Sequence, residues 1–164
     1  MKTNEIMQIF TKKELDYLGK RSISKWVDLI AKAARRAKGK TSFNTKSWLK
    51  ANKKTSGYSK NVGLNLKGYC GAASWLYVSI KNLTAKRKYG LKYYEDKEHI
   101  TVIRPDGKEI DITEKQHQGK KSYKKAKTIR MLKKSEFERE PGTMKRFERF
   151  AIDFKKELDT NLKK

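Results

Sequence analysis

Thirteen consecutive residues, Gly68-Tyr69-Cys70-Gly71-Ala72-Ala73-Ser74-Trp75-Leu76-Tyr77-Val78-Ser79-Ile80, carry no charge in a chain that is 37% charged. Past the glycines, Ala72, Leu76, Ile80 and Leu83 recur on one helical stripe, and Ala73, Tyr77 and Ile80 on the next. A helix that is apolar around most of its circumference belongs in the middle of a domain. The same stretch holds the single cysteine. Gly68 and Gly71 bracket it, which puts Cys70 at or near the first helical turn. At that point the amide N–H groups and the positive end of the helix dipole favour an anion. A thiol so placed gives up its proton more readily, and the thiolate is the nucleophilic form. The rest of the chain is therefore read as the support for a helix that presents a reactive cysteine.

A length of 164 residues suits one domain with a real core, and three Trp, eight Tyr and six Phe are there to pack it. One cysteine excludes an internal disulfide framework, and with two histidines a Cys/His zinc site is excluded as well. No cofactor and no metal is expected. The opening MKTNEIMQIFTKKELDY has no apolar h-region, and no apolar run approaches membrane-spanning length, so a cytoplasmic protein is expected.

Charge narrows the choice of partners. Forty-two Lys and Arg stand against 18 Asp and Glu, a net charge of +24. From Lys32 to Tyr94 there are sixteen Lys and Arg and no acid; from Lys115 to Lys134 there are nine more and again no acid. Such a field attracts polyanions, nucleic acid among them. It says little about chemistry, because a solvated, lysine-rich surface gives the same count.

Lys12 to Leu18 reads as a short helix that breaks at Gly19. Ser22 or Ser24 caps a second helix, with the apolar stripe Trp26, Leu29, Ile30, Ala33, Ala34 and Ala37, and Gly39 ends it. Its other face carries Lys25, Lys32, Arg35, Arg36 and Lys38 and reads as solvated. A short helix is expected over Ser47–Ala51, and residues 55–68 read as a loop leading into the cysteine. Asn61 and Asn65 in that loop are either oxyanion donors or ordinary turn residues. Thr84 to Lys92 reads as a basic turn, and Glu114 to Lys134 as a basic, exposed loop with a short helix near 128–134. His117 lies in that run with no acid nearby to orient it, a weaker base candidate. Pro141-Gly142 breaks the chain and Thr143 caps a last helix. Its stripe Met144, Phe147, Phe150, Ala151, Phe154 and Leu158 is core or interface packing.

The second informative stretch runs from Glu98 to Thr113. Two alternating runs flank Pro105-Asp106-Gly107, the mark of a hairpin. A three-residue loop with Gly107 in the left-handed conformation pairs Arg104 with Lys108. His99, Thr101, Asp111 and Thr113 then share one face, and Ile100, Val102, Ile110 and Ile112 share the other. His99 and Asp111 become diagonal neighbours within reach of each other. A two-residue loop would separate them, but the clean aliphatic face favours the first register. Alone, His99 or Cys70 reads as structural. Their order, a Cys at a helix start followed by a His and an Asp on successive strands, is what points to chemistry.

Gly68-Tyr69-Cys70-Gly71-Ala72-Ala73-Ser74, then His99 opening a strand, then Ile110-Asp111-Ile112-Thr113, resembles the transglutaminase-like branch of the papain-like cysteine enzymes. The likeness covers about residues 65–115. It implies that Cys70 is the nucleophile, His99 the base and Asp111 the orienting acid. It also implies a papain-like core. The expected fold is α+β in a single domain, 1–164, with a Cys-bearing central helix on a small antiparallel sheet. Its parts are a helical N-terminal portion 12–54, the core 65–115, a basic loop 115–135 and a C-terminal helix 143–162. The expected activity is acyl transfer through a thioester on a protein or peptide substrate. Water as acceptor gives a peptide or isopeptide hydrolase or a deamidase; an amine gives a transglutaminase. The alternative is a non-catalytic basic protein that binds nucleic acid or a ribonucleoprotein on the same scaffold. Oligomeric state is left open.

Overall fold

The computed structural model describes residues 2–37, 70–97, 99–113, 122–139 and 141–163. These form an α+β arrangement, helices packed with a four-stranded antiparallel sheet. Three helices open the chain: α1 (Thr3–Met7), α2 (Lys12–Gly19) and α3 (Ile23–Ala37). A capping box starts α2: the Glu14 N–H donates to Thr11 Oγ1 at 3.1 Å and the Thr11 N–H donates to Glu14 Oε1 at 2.7 Å. Ser22 caps α3, its Oγ accepting the Lys25 N–H at 3.2 Å, which selects it over Ser24. Trp26, Leu29, Ile30, Ala33 and Ala34 are all buried, as their spacing requires.

From Cys70 on, the uncharged stretch lies in helix α4 (Cys70–Thr84), and Cys70 opens it. Cys70 and every residue from Ala72 to Ile80 are buried. Polar tethers to other elements help fix its position. Trp75 Nε1 donates to Thr3 Oγ1 at 3.1 Å, Ser74 Oγ donates to the Ile100 carbonyl at 3.3 Å, and Lys81 Nζ donates to the Gly19 carbonyl at 3.1 Å. They join the central helix to α1, to the sheet and to the end of α2.

The sheet strands are β1 (Gly90–Tyr94), β2 (His99–Ile103), β3 (Glu109–Ile110) and β4 (Ile129–Leu132), in the order β3-β2-β1-β4. Helices α5 (Lys134–Glu138) and α6 (Pro141–Leu162) complete the chain. Leu91, Ile100, Val102, Ile110 and Leu132 share the core face of the sheet, and α4 lies against that face. On the far side of α4, helices α3 and α6 pack together: Trp26 stacks on Phe154 (centroids 5.4 Å apart, 19° between planes) and meets Tyr77 edge-on at 4.9 Å.

Four expectations need correction. The turn read over Thr84–Lys92 gives way to strand at Gly90, because β1 is a central strand with partners on both sides. The helix expected near 128–134 is instead strand β4, followed by α5. Short runs such as Ile129-Arg130-Met131-Leu132 carry no decisive period, and pairing with β1 decides them. The basic stretch 115–135 is therefore not a loop throughout: residues 122–135 hold a 3-10 turn (Ser122–Lys125), β4 and the start of α5. Helix α6 begins at Pro141 rather than Thr143, since proline's fixed φ and missing N–H suit a first helical turn. Gly39, the 47–51 helix, the 55–68 loop with Asn61 and Asn65, and His117 lie outside the described residues. Among the described residues, no helix is long and apolar enough to cross a membrane.

Candidate active site

The hairpin closes as the turn chemistry demands. The Gly107 N–H donates to the Arg104 carbonyl at 2.9 Å, the Arg104 N–H donates to the Lys108 carbonyl at 2.8 Å, and Gly107 sits at φ 87°. Only glycine adopts that φ without strain. Val102 pairs with Ile110 and Ile103 with Glu109, so the register is the one the three-residue loop sets. The aliphatic side faces the core. The polar side, however, is not solvated: His99, Thr101, Asp111 and Thr113 are all buried.

The diagonal contact is present. His99 Nε2 lies 3.2 Å from Asp111 Oδ2. The other carboxylate oxygen, Oδ1, accepts the Thr113 N–H at 3.2 Å and the Thr113 hydroxyl at 3.3 Å. Asp111 is thus held from its own chain two residues on, and a carboxylate fixed at one oxygen presents the other in a defined direction. The imidazole also hydrogen-bonds the Cys70 side chain. The structure therefore brings Cys70, His99 and Asp111 together, from α4, β2 and the residue following β3.

The electrostatics of His99 follow from that placement. Burial works to lower its proton affinity, but the hydrogen bonds to Asp111 and Cys70 and their charges outweigh it, and its pKa is pushed up to about 9. His99 therefore carries its proton at neutral pH.

No family model, no curated protein and no solved structure matches this chain.

One member of the cluster lies in the basic run read from sequence as an exposed loop. Tyr123, in the 3-10 turn Ser122–Lys125, is buried, and its ring lies over the imidazole of His99 with centroids 4.1 Å apart and 31° between planes. Its hydroxyl bonds Asp111, and burial together with the Asp111 charge pushes its pKa up, so it stays a neutral donor. Tyr94 closes the other side: it meets Tyr123 edge-on at 4.8 Å, and its hydroxyl donates to Glu109 Oε2 at 2.5 Å. Thr101 Oγ1 donates to the same Glu109 oxygen at 2.5 Å. No sequence period marks Tyr123; it reaches His99 across twenty-four positions of chain. For Tyr94 and Glu109 the signal was there in the strand alternation, once β1 is recognised as a strand.

The arrangement suits proton transfer at a sulfur. A buried imidazole contacts a thiol and is oriented by a carboxylate that is itself held by backbone and hydroxyl donors. Among the described residues, no group of three or more His, Cys, Asp and Glu side chains is placed to hold a metal ion.

Proposed function

We propose that the protein is a cysteine-dependent acyl-transfer enzyme, a peptide or isopeptide hydrolase, deamidase or transglutaminase-like catalyst, with Cys70, His99 and Asp111 as its catalytic residues. The observation that carries the reading is the contact set of His99, which hydrogen-bonds Cys70 and has Nε2 3.2 Å from Asp111. The resemblance of residues 65–115 to the papain-like enzymes of the transglutaminase-like branch supports the same assignment, and the α+β arrangement is compatible with that fold.

Cys70 Sγ, with its proton already held on the imidazole of His99, attacks the carbonyl carbon of an amide, and the high proton affinity of His99 keeps that proton in place for the leaving group. The carbonyl oxygen becomes an oxyanion beside the start of α4. There the Cys70 N–H belongs to the first helical turn, whose amides point out of the helix's own ladder. Collapse breaks the C–N bond, and the proton on His99 goes to the departing amine. A thioester on Cys70 remains. Water or a second amine then attacks it and gives a proton to His99, and the sulfur leaves, restoring the Cys70–His99 pair with the proton on the imidazole. Asp111 holds one ring orientation throughout and stabilises the imidazolium.

The test is the pH dependence of Cys70 alkylation by iodoacetamide in the wild type and in His99→Ala. With no other cysteine present, the signal is unambiguous. We expect rapid alkylation at neutral pH that falls by about tenfold or more in the variant. A slow thiol indifferent to His99 removes the enzyme reading.

A second reading rests on a different observation. Lys86, Arg87 and Lys88 before β1 and Lys124, Lys125 and Lys127 before β4 are all exposed. This reading is a basic, non-catalytic protein that binds nucleic acid or a ribonucleoprotein.

A further inference from the structure

Tyr123 is the residue of this site that no motif marks, and the structure holds it on both halves of the pair it covers. Its ring lies over His99 at 4.1 Å and its hydroxyl bonds Asp111. A second ring, Tyr94, braces it edge-on at 4.8 Å and is itself anchored through its hydroxyl to Glu109 at 2.5 Å. We infer that Tyr123 is a positioning residue whose ring holds the His99 imidazole in its bond with Asp111 and keeps water off that bond. The inference rests on the reading of Cys70, His99 and Asp111 as the reacting group.

The physical argument is one of dimensions. A histidine opening a strand has two side-chain torsions to fix, and its hydrogen bond to Asp111 constrains the ring plane only loosely at 3.2 Å. A flat ring at 4.1 Å removes the out-of-plane motion and occupies the space from which water would compete for the carboxylate. The hydroxyl adds a donor to Asp111 but is not needed for either effect, so phenylalanine should replace tyrosine here. A flexible aliphatic side chain should not.

The experiment uses the full chain carrying His117→Ala, so that His99 is the only imidazole in the proton NMR spectrum. Three forms are compared: Tyr123, Tyr123→Phe and Tyr123→Leu, each checked for folding by circular dichroism and thermal melting. In the parent, the His99 ring C–H signals should be displaced upfield by the tyrosine ring current, and the Nε2–H proton should be visible because it exchanges slowly with water. Tyr123→Phe should keep both signatures and keep Cys70 alkylation at neutral pH within about threefold of the parent. Tyr123→Leu, still folded, should lose both and lose roughly tenfold in alkylation, a fraction of the ~100-fold that a misplacement of ~1 Å can cost.

Three results overturn the inference: no upfield displacement in the parent, a folded Tyr123→Leu with unchanged His99 signals, or a Tyr123→Phe as impaired as the leucine form. The parent and Tyr123→Phe measurements decide it even if the leucine form does not fold. The two failures are distinct. If the Cys70 thiol proves indifferent to His99→Ala, the acyl-transfer reading falls, while the NMR signatures still report whether Tyr123 clamps the His99–Asp111 pair.

Discussion

His99 is 4% exposed, yet its pKa is pushed up to about 9 against an ordinary value of 6.5. Burial alone would have moved it the other way. The difference is the hydrogen bonds and charges of Asp111 and Cys70, and it has a consequence for folding. A group whose proton is bound more tightly in the folded state stabilises the fold wherever the proton is on. That contribution is complete below about 6.5 and disappears as pH rises through about 9. We expect urea unfolding free energy to fall between those limits by up to about 3 kcal/mol. His99→Gln, which takes no proton, should flatten the slope. A wild type as stable at pH 9.5 as at pH 6 would mean that the imidazole is not bound to a charged partner.

Elements are tied to one another by a few buried polar contacts laid over a large apolar core. The clearest joins α2 to α6. Lys155 Nζ donates to both oxygens of the buried Glu14 carboxylate, at 2.8 and 2.9 Å, while Glu14 also completes the capping box of α2. Burial raises the Glu14 pKa, but hydrogen bonds with Asp159, Lys155 and Thr11 outweigh it and hold it down to about 2. A carboxylate depressed in this way stabilises the fold above its ordinary value of 4.5, and the contribution disappears as pH falls through about 2. Glu14→Gln keeps an oxygen for the Thr11 N–H and removes only the charge. It should cost about 1–3 kcal/mol at neutral pH, because Lys155 loses its charged partner. The cost should shrink as the solution is acidified below about pH 4, as the wild-type carboxylate takes up its proton. Equal losses at pH 7 and pH 2.5 in denaturant titrations would show that the charge is not what joins these helices. The same scale explains β4. Its exposed Ile129 and Met131 contribute little burial, so the strand exists because β1 offers it a ladder.

Over the whole molecule, a charge of +24 on 164 residues is the feature that acts at longest range. Ion pairs such as Arg130 with Glu95 and Glu136 offset only part of it. If the field recruits polyanions, binding to a single-stranded oligonucleotide should weaken steeply with salt. The slope of log K against log salt should be about −3 or steeper, since each phosphate neutralised on a single strand contributes about −0.7. Cys70→Ala should leave that slope unchanged, because the substitution removes no positive charge. Filter binding or fluorescence anisotropy from 50 to 200 mM salt measures it. Weak binding insensitive to salt would leave the charge as a matter of solubility, and the acyl-transfer reading would stand without a polyanion partner.

The parts of this protein whose signal is local are legible in its amino-acid order alone. The uncharged stretch, from Cys70 to Ile80, makes a buried helix with the cysteine at its start. Pro105-Asp106-Gly107 fixes a loop, the loop fixes a register, and the register puts His99 beside Asp111. The apolar stripes of α3 and α6 are legible for the same reason, because a period of 3.6 over many residues leaves little choice. Whatever depends on a partner distant in the chain was settled by the assembled fold. Strands β1 and β4 carry weakly periodic sequences and become strands by pairing, β1 with β2 and β4 on either side and β4 with β1. His99 and Asp111, on the polar face of the hairpin, are buried rather than solvated, and Tyr123, from a stretch of lysines, covers them. A local pattern states which surface a segment needs to hide; only the assembled fold states what covers it.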